Sequence, residues 1–443
     1  MLNNMDRTAL WTNEYLDKMR FHGDPVADAA AEALFQDENQ PNIFRFLKDL
    51  ARNDSPISPD LDPRLREYFE KTGTLLCTPE EELLLDESVA FFENHGFRIL
   101  GMLFFKSLPT GYMCEQPSKV LHETKLLVEQ ATRRVLETAQ FIFDVSNPGW
   151  YKPEGSGIRA IQKVRLMHAG MRHMILKDLE QPWDKNSVKE GVPNGVPINQ
   201  VDKVLTCQLF SLAVLEGLKK MGVKLSPREE EVHFFHWRVV GLMLGIEEEL
   251  MPNTLQEGWY LQNQIYNRQI NTVNQYGKTL NDALMDVIAQ HTGKFIDRER
   301  LQDVEVFFIE NQKIFTSLGI PEPTFWDKFK SDIILHLISA KDNHHDESGG
   351  KLPMRKHGLL DRVFHFISKL FGYETEKSNA FKMDAFEFLC KTILASMTKS
   401  QEAAAAGGSN APGAPAAPFV KTKPAVEGEV TLIRKWELEG WNI

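Results

Sequence analysis

Two capping boxes, each with a proline at the first helical position, constrain the fold of this chain more than any other feature. Thr78-Pro-Glu-Glu81 precedes a strongly apolar segment, and Ser226-Pro-Arg-Glu229 precedes apolar residues at helical core spacing. Helical periodicity recurs along most of the chain, and no alternating apolar and polar run of strand length stands out. We therefore predict an all-α fold, a large multi-helix domain with more helices than a four-helix bundle.

Local signals predict where several of these helices begin and end. We expect the first apolar helix to stop at Pro109 and Gly111, and a second helix to span residues 118–143. A third helix should begin after Ser156, a possible N-cap, and run to about residue 179. Asn199 should cap a further helix that ends at Met221-Gly222.

Composition limits the classes of function. The net charge is −11, which disfavours nucleic-acid binding because there is no basic surface to follow phosphates. The four cysteines are scattered without a CxxC pair, which argues against a structural zinc site and a disulfide framework. The N-terminus has no apolar signal core, and no apolar run is long enough to span a bilayer. These features predict a soluble, cytoplasmic protein without a transmembrane segment.

The domain organisation follows from a shift in composition near the C-terminus. We predict that a single helical domain occupies residues 1–400. Residues 401–419, rich in Ala, Gly and Pro, should form a flexible linker. Residues 420–443 form a tail that contains Trp436 and Trp441 and that should dock on the domain or on a partner.

The stretch with the most chemical content is Arg165-Leu-Met-His-Ala-Gly-Met-Arg172, within the third helix. Steps of three and four place Arg165, His168 and Arg172 on one helix face, among apolar residues. Burying two guanidinium groups there requires anionic partners. A haem would supply them, with His168 on the iron and the arginines on the propionates. The alternative is a hydrogen-bonded core histidine flanked by ordinary helix–helix ion pairs.

This stretch also resembles the signature of the rubber oxygenases called latex-clearing proteins, a family that includes the endoplasmic-reticulum oxygenase of mycophenolic acid biosynthesis. Between about residues 23 and 284, further segments agree with the family in order and spacing. They are Gly23-Asp-Pro-Val-Ala-Asp28, Ser107-Leu-Pro109 with Tyr112, Arg134-Val-Leu-Glu-Thr138, Asn199-Gln-Val-Asp202 with Thr206 and Phe210, His236-Trp-Arg238, and Gly241-Leu-Met-Leu-Gly245.

The resemblance implies an α-helical domain that encloses one haem b, with His168 as the axial ligand of the iron. Arg165 and Arg172 would bind propionates or stiffen the helix, and His236 and Arg238 would hydrogen-bond around the haem or its supporting helix. His233 would be a core or surface residue, although His233 and His236 could also form a metal pair. The family activates dioxygen and cleaves carbon–carbon double bonds of polyisoprenoids.

The distal side departs from the family. Its best-known members carry a lysine that can close the sixth coordination site, and here that position is Glu137. We therefore expect an iron open to dioxygen, with Arg134 and Thr138 lining the pocket and Thr138 donating a hydrogen bond to dioxygen. Glu137 would act as a general base or would only pair with a neighbouring arginine. The family's distal glutamate base has three candidates, which are Glu115, Glu123 and Glu129.

The function that these features predict is a haem b-dependent oxygenase acting on a hydrophobic, unsaturated, isoprenoid-like substrate, either a small molecule or a polyprenyl chain. A cytoplasmic enzyme would not meet solid rubber. The alternative is a non-catalytic haem-binding protein that serves as a sensor, an electron carrier or a haem store.

Overall fold

The architecture comes from a computed structural model that describes residues 6–36, 52–123, 131–177, 183–189, 191–269, 274–292, 298–309 and 311–321. These ranges are helical almost throughout, which confirms the predicted all-α class. Within them, no helix combines the length and the apolar character needed to cross a bilayer. The predicted domain end near residue 400, the linker 401–419 and the tail 420–443 lie outside the described residues.

The described helices fall into two runs along the chain. The first run comprises α1 (Asn13–Met19), α2 (Pro25–Gln36), α3 (Pro63–Thr72), α4 (Pro79–Met102), a π-helical turn (Leu103–Ser107), α5 (Leu108–Tyr112), α6 (Glu115–Glu123), α7 (Ala131–Ser146) and α8 (Gly157–Lys177). The second run comprises α9 (Gln200–Lys220), α10 (Pro227–Met243), α11 (Leu255–Gln269), α12 (Gln275–Thr292), α13 (Arg298–Ile309) and α14 (Gln312–Leu318). A two-residue antiparallel ladder, β1 (Val188–Lys189) with β2 (Val192–Pro193), interrupts the loop before α9.

The core has a large part and a small part. The large part is formed by α4, α9, α10 and the helices around them. The small part lies where α2 and α3 pack on α8, and it contains four fully buried alanines of α2, Leu65, Phe69, Leu166 and Ala169. Because alanine has a short side chain, α2 can approach α8 closely. This contact sets the position of the stretch that contains His168.

The predicted helix starts are confirmed. Thr78 and Ser226 each form a complete capping box, in which the side chain accepts from the backbone N–H three residues on and a glutamate reaches back. Asn199 accepts from Asp202 N and caps α9, and Gly222 takes a left-handed φ of 86° just after that helix. The third helix begins directly after Ser156, as the sequence indicates.

The helical path ends within the predicted segment, at Tyr112 directly after Gly111, but Pro109 does not stop it. The helical path continues from α4 through the π-helical turn into α5. At this turn Leu108 N–H donates to Leu103 O, five residues back. This wider turn carries the chain into α5 with Pro109 in its first turn, where a missing N–H costs little. The predicted helix 118–143 is α6 and α7, and residues 124–130 between them lie outside the described part.

Candidate functional site

His168 lies on α8, and α7 packs beside it. The two helices form a hairpin, since Gly157 N–H donates to Trp150 O at 3.0 Å and Asp144 O approaches the Cα of Gly157 closely. The imidazole of His168 is half-buried, on a face that also carries Val164 and Met171. An amphipathic face of this kind suits a ligand that needs one nitrogen donor and an apolar surface.

Arg165, one helical turn before His168, forms a two-pronged ion pair with Asp24. Its Nε donates to Oδ2 at 2.7 Å and its Nη2 to Oδ1 at 2.8 Å, while Nη1 donates to Met243 O. Burial alone would raise the pKa of Asp24, but the hydrogen bonds from Arg165 and the charge of Lys203 bring that pKa below its ordinary value. Asp24 is therefore an anion at neutral pH.

Arg172, one turn after His168, repeats this arrangement with Asp28. Its Nε and Nη2 lie 3.0 and 2.8 Å from Oδ1, and its Nη1 donates to the carbonyl oxygens of Pro197 and Ile198. Ile198 has a φ of 52°, which a β-branched residue rarely adopts. Arg172 thus fixes the loop before α9 in a strained conformation.

The two carboxylates are also the N-terminal caps of α2. Asp24 accepts from Ala27 N–H, and Asp28 accepts from Asp24 N–H. The start of α2 therefore holds α8 at two points, one before and one after His168. This is the ion-pair alternative to the propionate role predicted for Arg165 and Arg172. Because α2 supplies a carboxylate to each guanidinium, we assign both arginines to positioning α8.

A third cation shares Asp24. Lys203 on α9 is buried, its Nζ donates to Gly245 O at 2.7 Å, and it lies 3.6 Å from Asp24 Oδ2. Burial lowers the pKa of Lys203 to about 8, so the amine remains mostly protonated at neutral pH. Two cations therefore meet one carboxylate at this point, and the local charge is positive.

Arg134, Glu137 and Thr138 lie on α7, the helix that packs beside α8. From the shared end of the hairpin, His168 lies about 16 Å along α8 and Arg134 about 15 Å along α7, at 1.5 Å per residue. Glu137 and Thr138 lie one turn nearer to that end, and both are half-buried. The predicted distal residues are thus on the neighbouring helix. Their catalytic roles stay predictions.

The three candidate glutamates for the distal base lie in different parts of the chain. Glu115 begins α6 and forms an ion pair with Lys189 of β1, so it belongs to the loop before α9. Glu123 ends α6, and Glu129 lies outside the described residues.

His236 does not lie next to His168. It is buried, its Nδ1 is 3.2 Å from Ser88 Oγ, and its ring contacts Trp150 edge-on. Trp150 packs on Gly157, which is about 16 Å from His168 along α8. His236 therefore supports the start of the helix rather than a group bound at His168.

Arg238 and His233 also belong to other surroundings. Arg238 is buried, and its Nη2 donates to Asn253 Oδ1 at 2.9 Å. Asn253 follows the end of α10, so this contact gives no support to a cofactor-binding role for Arg238. His233 is a core residue whose Nε2 lies 3.2 Å from Phe210 O. In the described ranges, no group of three or more His, Cys, Asp or Glu side chains is placed to hold a metal ion.

Asp24, Asp28 and Lys203 were missed as site residues. Asp24 and Asp28 stand four residues apart at a helix start, so they share a face, as do Arg165 and Arg172. Two carboxylates on one helix face and two guanidinium groups on another were the available signal. Lys203 gave none, because a lysine four residues after an N-cap is ordinary in sequence.

Three comparisons with known proteins agree. Residues 98–304 match the family model described as ER-bound oxygenase mpaB/B'/Rubber oxygenase, catalytic domain. A rubber oxygenase from Streptomyces sp. (strain K30) is 24% identical over 273 residues, which span 60% of this chain and 63% of that relative. A solved structure of latex clearing protein in the closed state has a TM-score of 0.65 at 19% identity and covers 79% of this chain and 90% of its own. Residues 98–304 of the chain therefore resemble the catalytic domain of mpaB-type and rubber oxygenases, and the chain shares the fold of latex clearing protein.

Proposed function

We propose that this protein is a haem b-dependent oxygenase that uses dioxygen to cleave or oxygenate a hydrophobic, unsaturated, isoprenoid-like substrate. The observation that carries the proposal is the placement of His168. It lies within the matched residues, on a helix face held by an ion pair one turn before it and another one turn after it. The relative named as a rubber oxygenase supports the choice of an isoprenoid hydrocarbon.

The residues around His168 fit a haem. A porphyrin supplies four nitrogens to the iron, so the protein needs to contribute only one imidazole. Because Asp24 and Asp28 bind the flanking arginines, His168 is the nitrogen donor that this face of α8 presents. Val164 and Met171 on the same face would contact a flat apolar ring. When bound, the haem would supply the iron that activates dioxygen.

The remaining work falls to side chains of the chain itself. The two ion pairs hold α8 so that the imidazole of His168 keeps one orientation, which an axial ligand requires. On α7, Thr138 would donate a hydrogen bond toward dioxygen, and Arg134 would add positive charge at the level of His168. Glu137 would accept the allylic proton of the substrate at its carboxylate.

The first test is an absorption spectrum of the purified protein, followed by a pyridine haemochrome assay. We expect one haem b per chain. His168→Ala should lose the haem, whereas His173→Ala should keep it, because His173 lies on the same helix but roughly 140° around its axis at 100° per residue. Equal haem content in the two variants would remove His168 as the ligand.

A second measurement separates the oxygenase from a non-catalytic haem protein. The reduced protein is mixed with an isoprenoid hydrocarbon such as squalene, and dioxygen uptake and carbonyl products are followed. Uptake coupled to carbonyl formation supports the oxygenase. Stoichiometric haem with no uptake for any isoprenoid would favour a haem-binding protein without turnover.

A further inference from the structure

A cavity of about 200 Å³ lies between the end of α3 and the last turns of α10. One wall is apolar and consists of Leu75, Leu76, Val239, Leu242 and Met243. Of these lining residues, Leu76 is 77% exposed to solvent. The cavity therefore opens to solvent along an apolar edge.

Polar and positively charged residues also line the cavity. Arg165 lines it, and Lys71 and Thr74 stand at its rim. Behind Arg165, the carboxylate of Asp24 is shared with Lys203, so two cations face one anion. The floor of the cavity thus carries an excess of one positive charge, which a single carboxylate of a ligand would balance.

Arg165 retains hydrogen-bonding capacity toward the cavity. Its bonds to Asp24 and to Met243 O use three of the five N–H groups of a guanidinium. Among the residues that the structure describes, the other two N–H groups have no acceptor. At the rim, Lys71 pairs with Glu67 at 2.5 Å, but both side chains are more than half exposed. Such a surface pair is weak and yields readily to a ligand.

The size of the cavity limits what can occupy it. A cavity of about 200 Å³ is smaller than most sites that enclose a whole small molecule, so we expect it to hold one end of a longer ligand. A longer chain must leave the cavity past Leu76.

We propose that this cavity, which we call the α3–α10 cavity, binds the carboxylate end of an isoprenoid acid. The carboxylate contacts Arg165 and Lys71, the first isoprene unit packs against Leu75, Val239 and Leu242, and the rest of the chain extends outward. The choice of an isoprenoid rests on the proposed function, whereas the choice of a carboxylate rests on the charge and the N–H groups at the floor. The protein then recognises its substrate by one end.

The test is isothermal titration calorimetry of the protein as purified, with farnesoic acid, methyl farnesoate and farnesyl diphosphate as probes. Farnesoic acid should bind about tenfold more tightly than its methyl ester, because the ester lacks the charge-assisted hydrogen bonds. Farnesoic acid should also bind more tightly than farnesyl diphosphate, because the negative charge of the diphosphate exceeds the single excess positive charge at the cavity. Equal affinity for acid and ester, or tighter binding of the diphosphate, would overturn the proposal.

Two variants locate the binding. Leu242→Trp and Leu75→Trp each place a bulky ring in the cavity and should each weaken the binding of farnesoic acid by more than about tenfold, since the ring displaces the ligand. Leu83→Trp, at an exposed site on α4, is the matched control and should bind as the unaltered protein does. Circular dichroism confirms that each variant is folded. If both filled variants are folded and bind normally, the acid binds elsewhere and the proposal fails.

The same titration with His168→Ala separates this proposal from the proposed function. A loss of haem with unchanged affinity for farnesoic acid is the expected result, because Arg165 and not His168 lines the cavity. If the unaltered protein binds the acid and contains no haem, the oxygenase proposal fails and the cavity proposal stands. If it contains haem and does not bind the acid, the reverse holds.

Discussion

Arg165 binds Asp24 through two parallel hydrogen bonds, of 2.7 and 2.8 Å, across 141 positions of the sequence. The side chains are 13% and 4% exposed, so water screens this pair weakly. An ion pair this deeply buried is costly to break from one side, because the remaining charge loses both its partner and its hydration. The contact joins the start of α2 to the helix that carries His168.

Replacing Arg165 by methionine should therefore destabilise the protein by about 3 kcal/mol. The loss is limited because Lys203 still neutralises part of the charge of Asp24. Arg64→Met is the matched control, since Arg64 also binds an aspartate, Asp62, through two hydrogen bonds, but at the surface. It should cost less than about 1 kcal/mol. Urea denaturation measures both values. Equal losses would show that burial adds nothing to the Arg165–Asp24 pair.

Gly245→Ala should disturb the same pair from the backbone. Gly245 has a φ of 80°, and a Cβ there would lie 2.3 Å from Asp24 Oδ2 and 2.7 Å from the Arg165 guanidinium. Gly191 has the same φ with open space around it. Gly191→Ala is therefore the control, because it adds only the backbone strain of a positive φ and no steric clash. We expect Gly245→Ala to be the less stable variant by about 2 kcal/mol, the usual cost of overpacking. Comparable melting curves for the two variants would contradict this.

The sequence predicted helix starts well because a cap is local. Thr78, Ser226 and Asn199 each satisfy N–H groups within three residues, so no distant residue decides the outcome. By the same local rule Pro109 was expected to stop the first apolar helix, and it does not. The wider turn at Leu103–Ser107 carries the chain past the proline, and local rules do not reveal such a turn.

The site was predictable only in part, for a related reason. Periodicity alone put Arg165, His168 and Arg172 on one face of a helix, and the structure confirms that arrangement. The partners of the arginines depend on how α2 packs on α8, which is a long-range contact. His236 was expected to hydrogen-bond around the haem or its supporting helix, and its neighbours are Ser88 and Trp150, which packs on the start of α8.

The buried histidines of α10 should make the protein sensitive to acid. Burial lowers the pKa of His236 to about 3 and that of His233 to about 4, from an ordinary value of 6.5. Below pH 6.5 the unfolded chain takes up these protons and the folded chain does not. Stability is therefore complete above pH 6.5 and falls by about 1.4 kcal/mol per pH unit for each histidine down to about pH 4.

His236→Gln should remove about half of that slope, because one of the two histidines no longer titrates in the unfolded chain. The free energy of unfolding is measured by urea denaturation at several pH values between 4.5 and 8 for both proteins. Above pH 7 the two curves should be parallel, and they should converge as the pH falls. Curves that stay parallel down to pH 4.5 would mean that His236 is protonated in the folded protein.

Glu137→Lys tests the distal side of the proposed haem site. A lysine amine on α7 would become a sixth ligand of the iron, and the ferric protein should change to the absorption spectrum of a low-spin, six-coordinate haem. Glu137→Gln is the control, because it removes the carboxylate without supplying a strong ligand, and its spectrum should stay that of the unaltered protein. Haem content should be equal in all three proteins, since His168 is unchanged. If the lysine variant keeps the original spectrum with a full complement of haem, Glu137 does not face the iron, and its assignment as a base fails with it.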